Sequence, residues 1–263
     1  MINLTVLVSS KCNLRCKFCA TYTPYQKHGR NYSVPVIIKS VDRFFDAIPE
    51  GVELFTLNGG EPLLHPDLPE MIENFSRYKN RCTKFEIITN GTIIPNERLI
   101  NALNLFGDKA DVMIDDYGPN ISGKALDAVE KLNQAGICKR LRKYYGQDAH
   151  FGGWVDVSDF EAKNRTMEQI SKLYRSCNYT TVYKDHFFIF EDTAHICYVN
   201  HKLLDFVTDN PTEYVNLHSD VSANEIRRQL IGLRERDHLT ACINCNGFLT
   251  EAQRIHPAEQ LSN

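Results

Sequence analysis

Short apolar stretches alternate with amphipathic ones through the first 142 residues, and this alternation limits the fold more than any other feature of the chain. Residues 2–8 (INLTVLV), 53–57 (ELFTL), 84–89 (KFEIIT), 110–115 (ADVMID) and 137–142 read as strands. Residues 36–47 (after Pro35), 67–78, 96–105 and 122–134 read as helices between them. Asn90-Gly91 and Gly136 stand where turns are required. Such alternation predicts an α/β fold, a parallel sheet with its helices outside. Five units make a partial (β/α) barrel or a doubly wound sheet, and both carry their chemistry at the C-terminal ends of the strands.

That rule gathers five segments on one face. They are Ser9-Ser10 with the loop that follows, "NGGEP" at Asn58–Pro62, "TNG" at Thr89–Gly91, "DDYG" at Asp115–Gly118 and "KYYG" at Lys143–Gly146. The first loop holds Cys12, Cys16 and Cys19 in the spacing C-x₃-C-x₂-C. Cys82 and Cys138 precede strands and so belong to the opposite face.

Composition decides what those thiols are for. A net charge of −3 gives no general affinity for nucleic acid or an anionic membrane. The apolar start, Ile2 to Val8, has no basic region before it and is too short for a signal peptide or a span. The expectation is a cytoplasmic protein, where nine cysteines do not form a disulfide framework. Clustered thiolates suit zinc or iron–sulfur clusters. Three thiolates hold three irons of a [4Fe–4S] cube and leave the fourth open. A closed zinc site needs a fourth ligand, for which His28 is the nearest candidate.

The cysteine loop followed by "GGEP" at the next strand end resembles the radical S-adenosylmethionine (SAM) superfamily. Cys12, Cys16 and Cys19 match its cluster motif, and Phe18 fills the aromatic slot before the last cysteine. Gly59, Gly60, Glu61 and Pro62 match the motif that meets the methionine end of SAM. "ITNGT", with Thr89 and Asn90, resembles the strand-end segment near the ribose, and reads equally as a plain Asn-Gly turn. The resemblance implies a partial barrel that cleaves SAM reductively to a 5′-deoxyadenosyl radical, with an electron donor such as flavodoxin or ferredoxin. In this reading the two glycines let the backbone approach the ligand, and Glu61 offsets an ammonium charge.

The second half is less regular. Residues 144–165 are rich in glycine and aromatics and read as a linker or a substrate-covering loop. Residues 187–199 read as a hairpin across Glu191-Asp192-Thr193 with Cys197 on its second strand. Ser222 and Glu225 form a capping box for a helix that ends near Arg236. Cys177, Cys197, Cys242 and Cys245 suffice to close a second metal site, with structural zinc as the plain alternative. Beside the first motif they resemble the twitch extension, a shortened SPASM domain with one auxiliary [4Fe–4S] cluster, although "EDTAH" lacks the usual hairpin glycine. The implied organisation is a radical SAM core at 1–145, a connecting or substrate-covering segment at 146–176, an auxiliary hairpin-plus-helix domain at 177–250 and a tail at 251–263.

The twitch-like half also resembles enzymes that tailor small molecules, among them aminocyclitol dehydrogenases and sugar epimerases. The expected function is oxidation of a small polar, carbohydrate-like substrate. Epimerisation, peptide modification and a non-catalytic iron–sulfur or zinc role are the alternatives. Oxidation needs a base at the strand ends. Asp115, Asp116 and His150 are the candidates, each also readable as a turn or surface residue. Tyr144 and Tyr145 serve as polar contacts, and Trp154 walls the pocket or simply packs. An epimerase needs a hydrogen donor, often a thiol, and Cys82 and Cys138 are at the wrong end.

Overall fold

In the computed structural model of this chain, which describes residues 2–26, 28–156, 161–177, 185–204, 210–247 and 255–262, all five expected strands form within two residues of their expected bounds. They are β1 Ile2–Leu7, β2 Val52–Asn58, β3 Cys82–Thr89, β4 Ala110–Asp116 and β5 Cys138–Lys143. The helices between them are α1 Val34–Ala47, α2 Leu68–Phe75, α3 Glu97–Asn104 and α4 Ala125–Gln134. Helix α1 takes Pro35 into its first turn, where no backbone N–H is needed. Helix α2 gives way to a 3₁₀ stretch at Ser76–Arg81. Helix α4 starts three residues later than expected because Ser122 is used elsewhere. Its hydroxyl donates to the Asn90 carbonyl at 2.7 Å and accepts from the Tyr117 N–H at 2.9 Å.

The sheet runs β5-β4-β3-β2-β1 in parallel and then continues. A sixth parallel strand, β6 His186–Phe190, pairs with β1 from Asn3↔His186 to Leu7↔Phe190. Strands β7 Thr193–His195 and β8 Val215–Asn216 extend it antiparallel. The expected hairpin therefore forms, turning at Glu191 with φ +51°, but it is part of the main sheet. Cys197 lies beyond β7 and not on it. Its sulfur accepts from the Asn200 N–H at 3.4 Å and so caps helix α6, Tyr198–Leu204. The chain adds α5 Met167–Ser176, α7 Ala223–Arg234 and α8 Ala241–Asn244. Ser222 caps α7 through the Glu225 N–H at 3.2 Å, while the Glu225 carboxylate is taken by Arg228 and Gln229. The reciprocal capping box belongs to α5, between Thr166 and Gln169.

Alternation along the strands sorts side chains to two faces. Leu4, Val6, Phe55, Leu57, Phe85, Ile87, Val112 and Ile114 are buried in the main core, beneath the helices. Rings carry much of that layer: Phe85 stacks on Phe106 at 3.8 Å, and Phe45 on Tyr78 at 4.1 Å. Each buried phenylalanine contributes about 2–3 kcal/mol of apolar transfer. Asn3, Thr5, Thr56, Asn58, Glu86, Asp115, Arg140, Arg142 and His186 line the other, concave face, an open cavity of about 620 Å³. A filled barrel would put branched apolar residues there; the polar lining goes with an open, water-accessible half-barrel. Among the described residues no helix is long and apolar enough to cross a membrane.

Candidate active site at the strand ends

Cys12, Cys16 and Cys19 all line that cavity, at its end above β1. Their loop is fastened to the turn after β2. The Gly60 N–H donates to the Ser9 carbonyl and the Glu61 N–H to the Lys11 carbonyl, both at 2.8 Å. A Cβ on Gly59 would stand 2.6 Å from Ser9 O, and one on Gly60 2.2 Å from Lys11 O. Close approach of the cysteine loop by itself requires both glycines.

Glu61 also differs from expectation. It is fully buried and does not line the cavity. Its carboxylate accepts from the Leu63 N–H at 3.0 Å, the Thr89 hydroxyl at 2.8 Å and the Asn90 N–H at 2.7 Å. Burial pushes its carboxyl up to about 7, against those three donors, which pull it down. Through these bonds Glu61 ties the end of β2 to the end of β3. Pro62 opens the 3₁₀ turn behind it. Gly59, Gly60, Thr89 and Asn90 line the cavity. The Asn90 amide nitrogen lies 3.0 Å from Asn13 Oδ1 and 3.7 Å from the Cys12 sulfur. Phe18 stays behind the loop, its carbonyl accepting from the Val155 N–H at 2.9 Å. His28 is exposed and does not line the cavity.

At the ends of β4 and β5 the structure separates the two aspartates. Asp115 faces the cavity, where Arg142 Nε and Nη2 grip it at 2.8 and 3.0 Å and the Tyr117 hydroxyl donates at 3.4 Å. Burial raises its carboxyl while Arg142 lowers it. Asp116 does not line the cavity. It accepts from the Gly118 N–H at 2.9 Å and the Tyr145 hydroxyl at 2.9 Å, a turn-holding role that also removes Tyr145 from the site. His150 sits exposed at the rim, lowered in pKa by partial burial and by Arg142. Tyr144 and Trp154 wall the cavity, and the buried Trp154 indole N–H has no hydrogen-bond partner among the described residues. Gly152 and Gly153 also line the cavity, and Trp154 makes an antiparallel bridge to Cys19.

Burial also raises the thiols, Cys12 to about 11 and Cys16 to about 12, with repulsion from neighbouring thiolates adding to it. Buried thiols with little means of ionising alone need positive charge beside them, which the irons of a cluster supply. N–H groups from Leu14 (3.4 Å), Asn90 and Gln260 (3.2 Å) already point at the Cys12 and Cys16 sulfurs, as ligating thiolates require. The donor set fits a three-thiolate cluster. Away from this site, Cys177, Cys197, Cys242 and Cys245 surround a small apolar cavity of about 30 Å³ with Leu173, Tyr174 and Leu239. Burial again raises Cys242, to about 12, and Cys197 and Cys245. Among the described residues no three His, Cys, Asp or Glu side chains converge on a point as a single metal ion demands.

An open half-barrel presenting three thiols at the end of its first strand defines a class, that of iron–sulfur enzymes which work in the lumen of the sheet. The profile of the Radical SAM superfamily matches residues 6–145, more than half of the chain, and the chain belongs to that superfamily. Among curated proteins, a probable GTP 3′,8-cyclase of Methanococcus maripaludis (strain C6) is 32% identical over 173 residues, 65% of this chain and 53% of its own length. The GTP 3′,8-cyclase of Helicobacter pylori (strain ATCC 700392 / 26695) is 34% identical over 174 residues, 63% of this chain and 53% of its own. The chain thus spans about half the length of the curated relatives it matches. Among solved structures, BtrN in complex with AdoMet and 2-DOIA aligns over 99% of both chains at 15% identity and a TM-score of 0.53. Streptococcus suis SuiB bound to precursor peptide SuiA aligns over 93% of this chain and 69% of its own, at 15% identity and a TM-score of 0.57. These two likenesses show the fold.

Proposed function

We propose that this radical SAM enzyme oxidises a small polar, carbohydrate-like substrate by two electrons, with a second [4Fe–4S] cluster at Cys177, Cys197, Cys242 and Cys245. One observation carries the reading: those four cysteines, from three separate stretches of the chain, line one small cavity. When bound, the cofactors supply reductive cleavage of SAM, abstraction of a hydrogen atom and, at the second cluster, an acceptor for the remaining electron. The substrate thereby loses one hydrogen atom, one proton and one electron. Flavodoxin or ferredoxin is the proposed external donor.

The chain's residues would do the rest. Asn90 and the backbone at Gly59-Gly60 border the SAM side of the cavity. Asp115 and His150 flank the Arg142 guanidinium, and either would take the proton. The cavity favours a substrate without strong charge. Lys84, Arg140 and Arg142 line it, and each is already paired with a carboxylate: Lys84 with Asp111, Arg140 with Glu86 and Asp111, Arg142 with Asp115. A triphosphate such as that of GTP asks for surplus cations. His186, at the lower end and held to Thr5 at 2.7 Å, is lowered by burial to about 3 and stays neutral.

Turnover in deuterated water tests the proposal against epimerisation. A product two hydrogens lighter, with no solvent deuterium bound at the reacting carbon, supports oxidation. An isomer carrying one deuterium there overturns it.

A further inference from the structure

The segment at 255–262 returns to the cysteine loop and docks on Cys16. The Lys17 N–H donates to the Glu259 carbonyl at 2.7 Å, and the Leu261 N–H to the Arg15 carbonyl at 2.8 Å, so the two backbones pair on either side of Cys16 and Gln260. The Gln260 side chain completes the contact. Its Oε1 accepts from the Arg15 N–H at 2.7 Å, which fixes the amide's orientation. Its Nε2 therefore donates to the Cys16 sulfur, at 3.2 Å, and to the Ala258 carbonyl, at 2.7 Å. No other nitrogen donor reaches the three motif sulfurs as closely among the described residues. Ala258 is buried at φ +54°, a left-handed conformation costing a non-glycine residue roughly 1 kcal/mol, and its carbonyl holds the glutamine amide.

We infer that Gln260 sets the reduction potential of the cluster held by Cys12, Cys16 and Cys19, acting as a positioning residue through the Cys16 sulfur. The inference rests on that cluster being present. Reduction adds one electron to a cluster whose thiolates already carry negative charge. An N–H dipole aimed at a thiolate stabilises the reduced form more than the oxidised one, and hydrogen bonds to sulfur are among the factors that set such potentials. Cys16 is buried, where the lower dielectric strengthens the effect. The segment thus links the accessibility of the radical chemistry to a contact 244 residues away in sequence.

The test is a redox titration of the full chain after anaerobic loading, followed by electron paramagnetic resonance, with iron counted in each sample. Gln260→Glu keeps the oxygen that accepts from Arg15 and removes the donor. Gln260→Leu removes both without adding charge. At a fixed applied potential the reduced-to-oxidised ratio should fall about tenfold in Gln260→Glu, or ~59 mV for a one-electron couple, and less in Gln260→Leu. Unchanged midpoints at full iron content overturn the inference. Loss of iron from both variants, with wild type loaded, also overturns it and assigns the residue to holding the loop. Absence of a cluster from wild type would instead defeat the underlying reading, and the iron count shows that directly.

Discussion

Arg142 grips Asp115 with two hydrogen bonds, at 2.8 and 3.0 Å, across the ends of neighbouring strands β5 and β4. The pair is the most buried charge interaction at the cavity mouth, with the Asp115 side chain 9% exposed and that of Arg142 27%. Removing the guanidinium leaves a largely buried carboxylate without its main partner. Arg142→Gln should cost about 3 kcal/mol in urea unfolding, the lower end of the range for breaking a buried pair. Asp115→Asn should still form 5′-deoxyadenosine from SAM while yielding little oxidised product, so the two products measured together separate the proton-transfer role from cofactor binding. Equal loss of both would make Asp115 a structural residue.

Glu61 connects two loops through three donors, and its replacement has a predictable pH signature. In Glu61→Gln an amide N–H₂ replaces an acceptor oxygen and meets a donor, a loss of about 2 kcal/mol. The wild-type carboxyl has a folded value of about 7, raised from an ordinary 4.5. A raised carboxyl binds its proton more tightly when folded. Its contribution is therefore fully present below the ordinary value and is lost as pH rises through the folded one. Wild-type stability relative to Glu61→Gln should narrow between about pH 5 and about pH 8. A constant gap in anaerobic urea titrations would refute this.

Gly60→Ala should disturb the cysteine loop. The new Cβ would stand 2.2 Å from the Lys11 carbonyl oxygen and 3.0 Å from the Cys12 Cβ, and neither neighbour can swing aside as a flexible side chain would. Overpacking of this kind costs about 1–3 kcal/mol. Iron bound after reconstitution should fall at the first site. Gly232→Ala, on the open face of α7 with nothing within 4 Å, should bind as much iron as wild type and serves as the control.

Iron stoichiometry separates the two cysteine sets. Reconstituted wild type should hold about eight irons, and the triple alanine variant of Cys12, Cys16 and Cys19 about four. Zinc in place of iron in that variant would return the second site to a structural role.

Rim His150 gives a pH dependence to turnover. Its value lies below that of an ordinary histidine, because partial burial and Arg142 both disfavour the imidazolium. Acting as the base it must be neutral. Activity should then persist on the acid side of the usual histidine range and fall only below it, and His150→Gln should remove that limb of the kcat/KM profile. A limb that stays in the variant assigns it to another group.

Local pattern carried most of the architecture. Period-two apolar strands, amphipathic helices and turn glycines are consequences of the residues themselves, so β1 to β5 and α1 to α4 were legible within a few residues. The three-thiol loop and the "GGEP" segment were legible too, because the strand rule alone puts both at one end of the sheet. What each side chain there faces was not. Asp115 and Asp116 are adjacent in sequence, and only the strand's alternation within a closed environment sends one to the cavity and the other to a turn. Glu61 looks like a ligand contact until three donors from β3 and its own turn are seen around it. The addition of β6 beside β1, the gathering of Cys177, Cys197, Cys242 and Cys245, and the docking of Gln260 on Cys16 all join segments separated by a hundred residues or more, or by several elements. No sequence period records such meetings, since they are fixed by burial and hydrogen bonding that exist only once the chain has closed on itself.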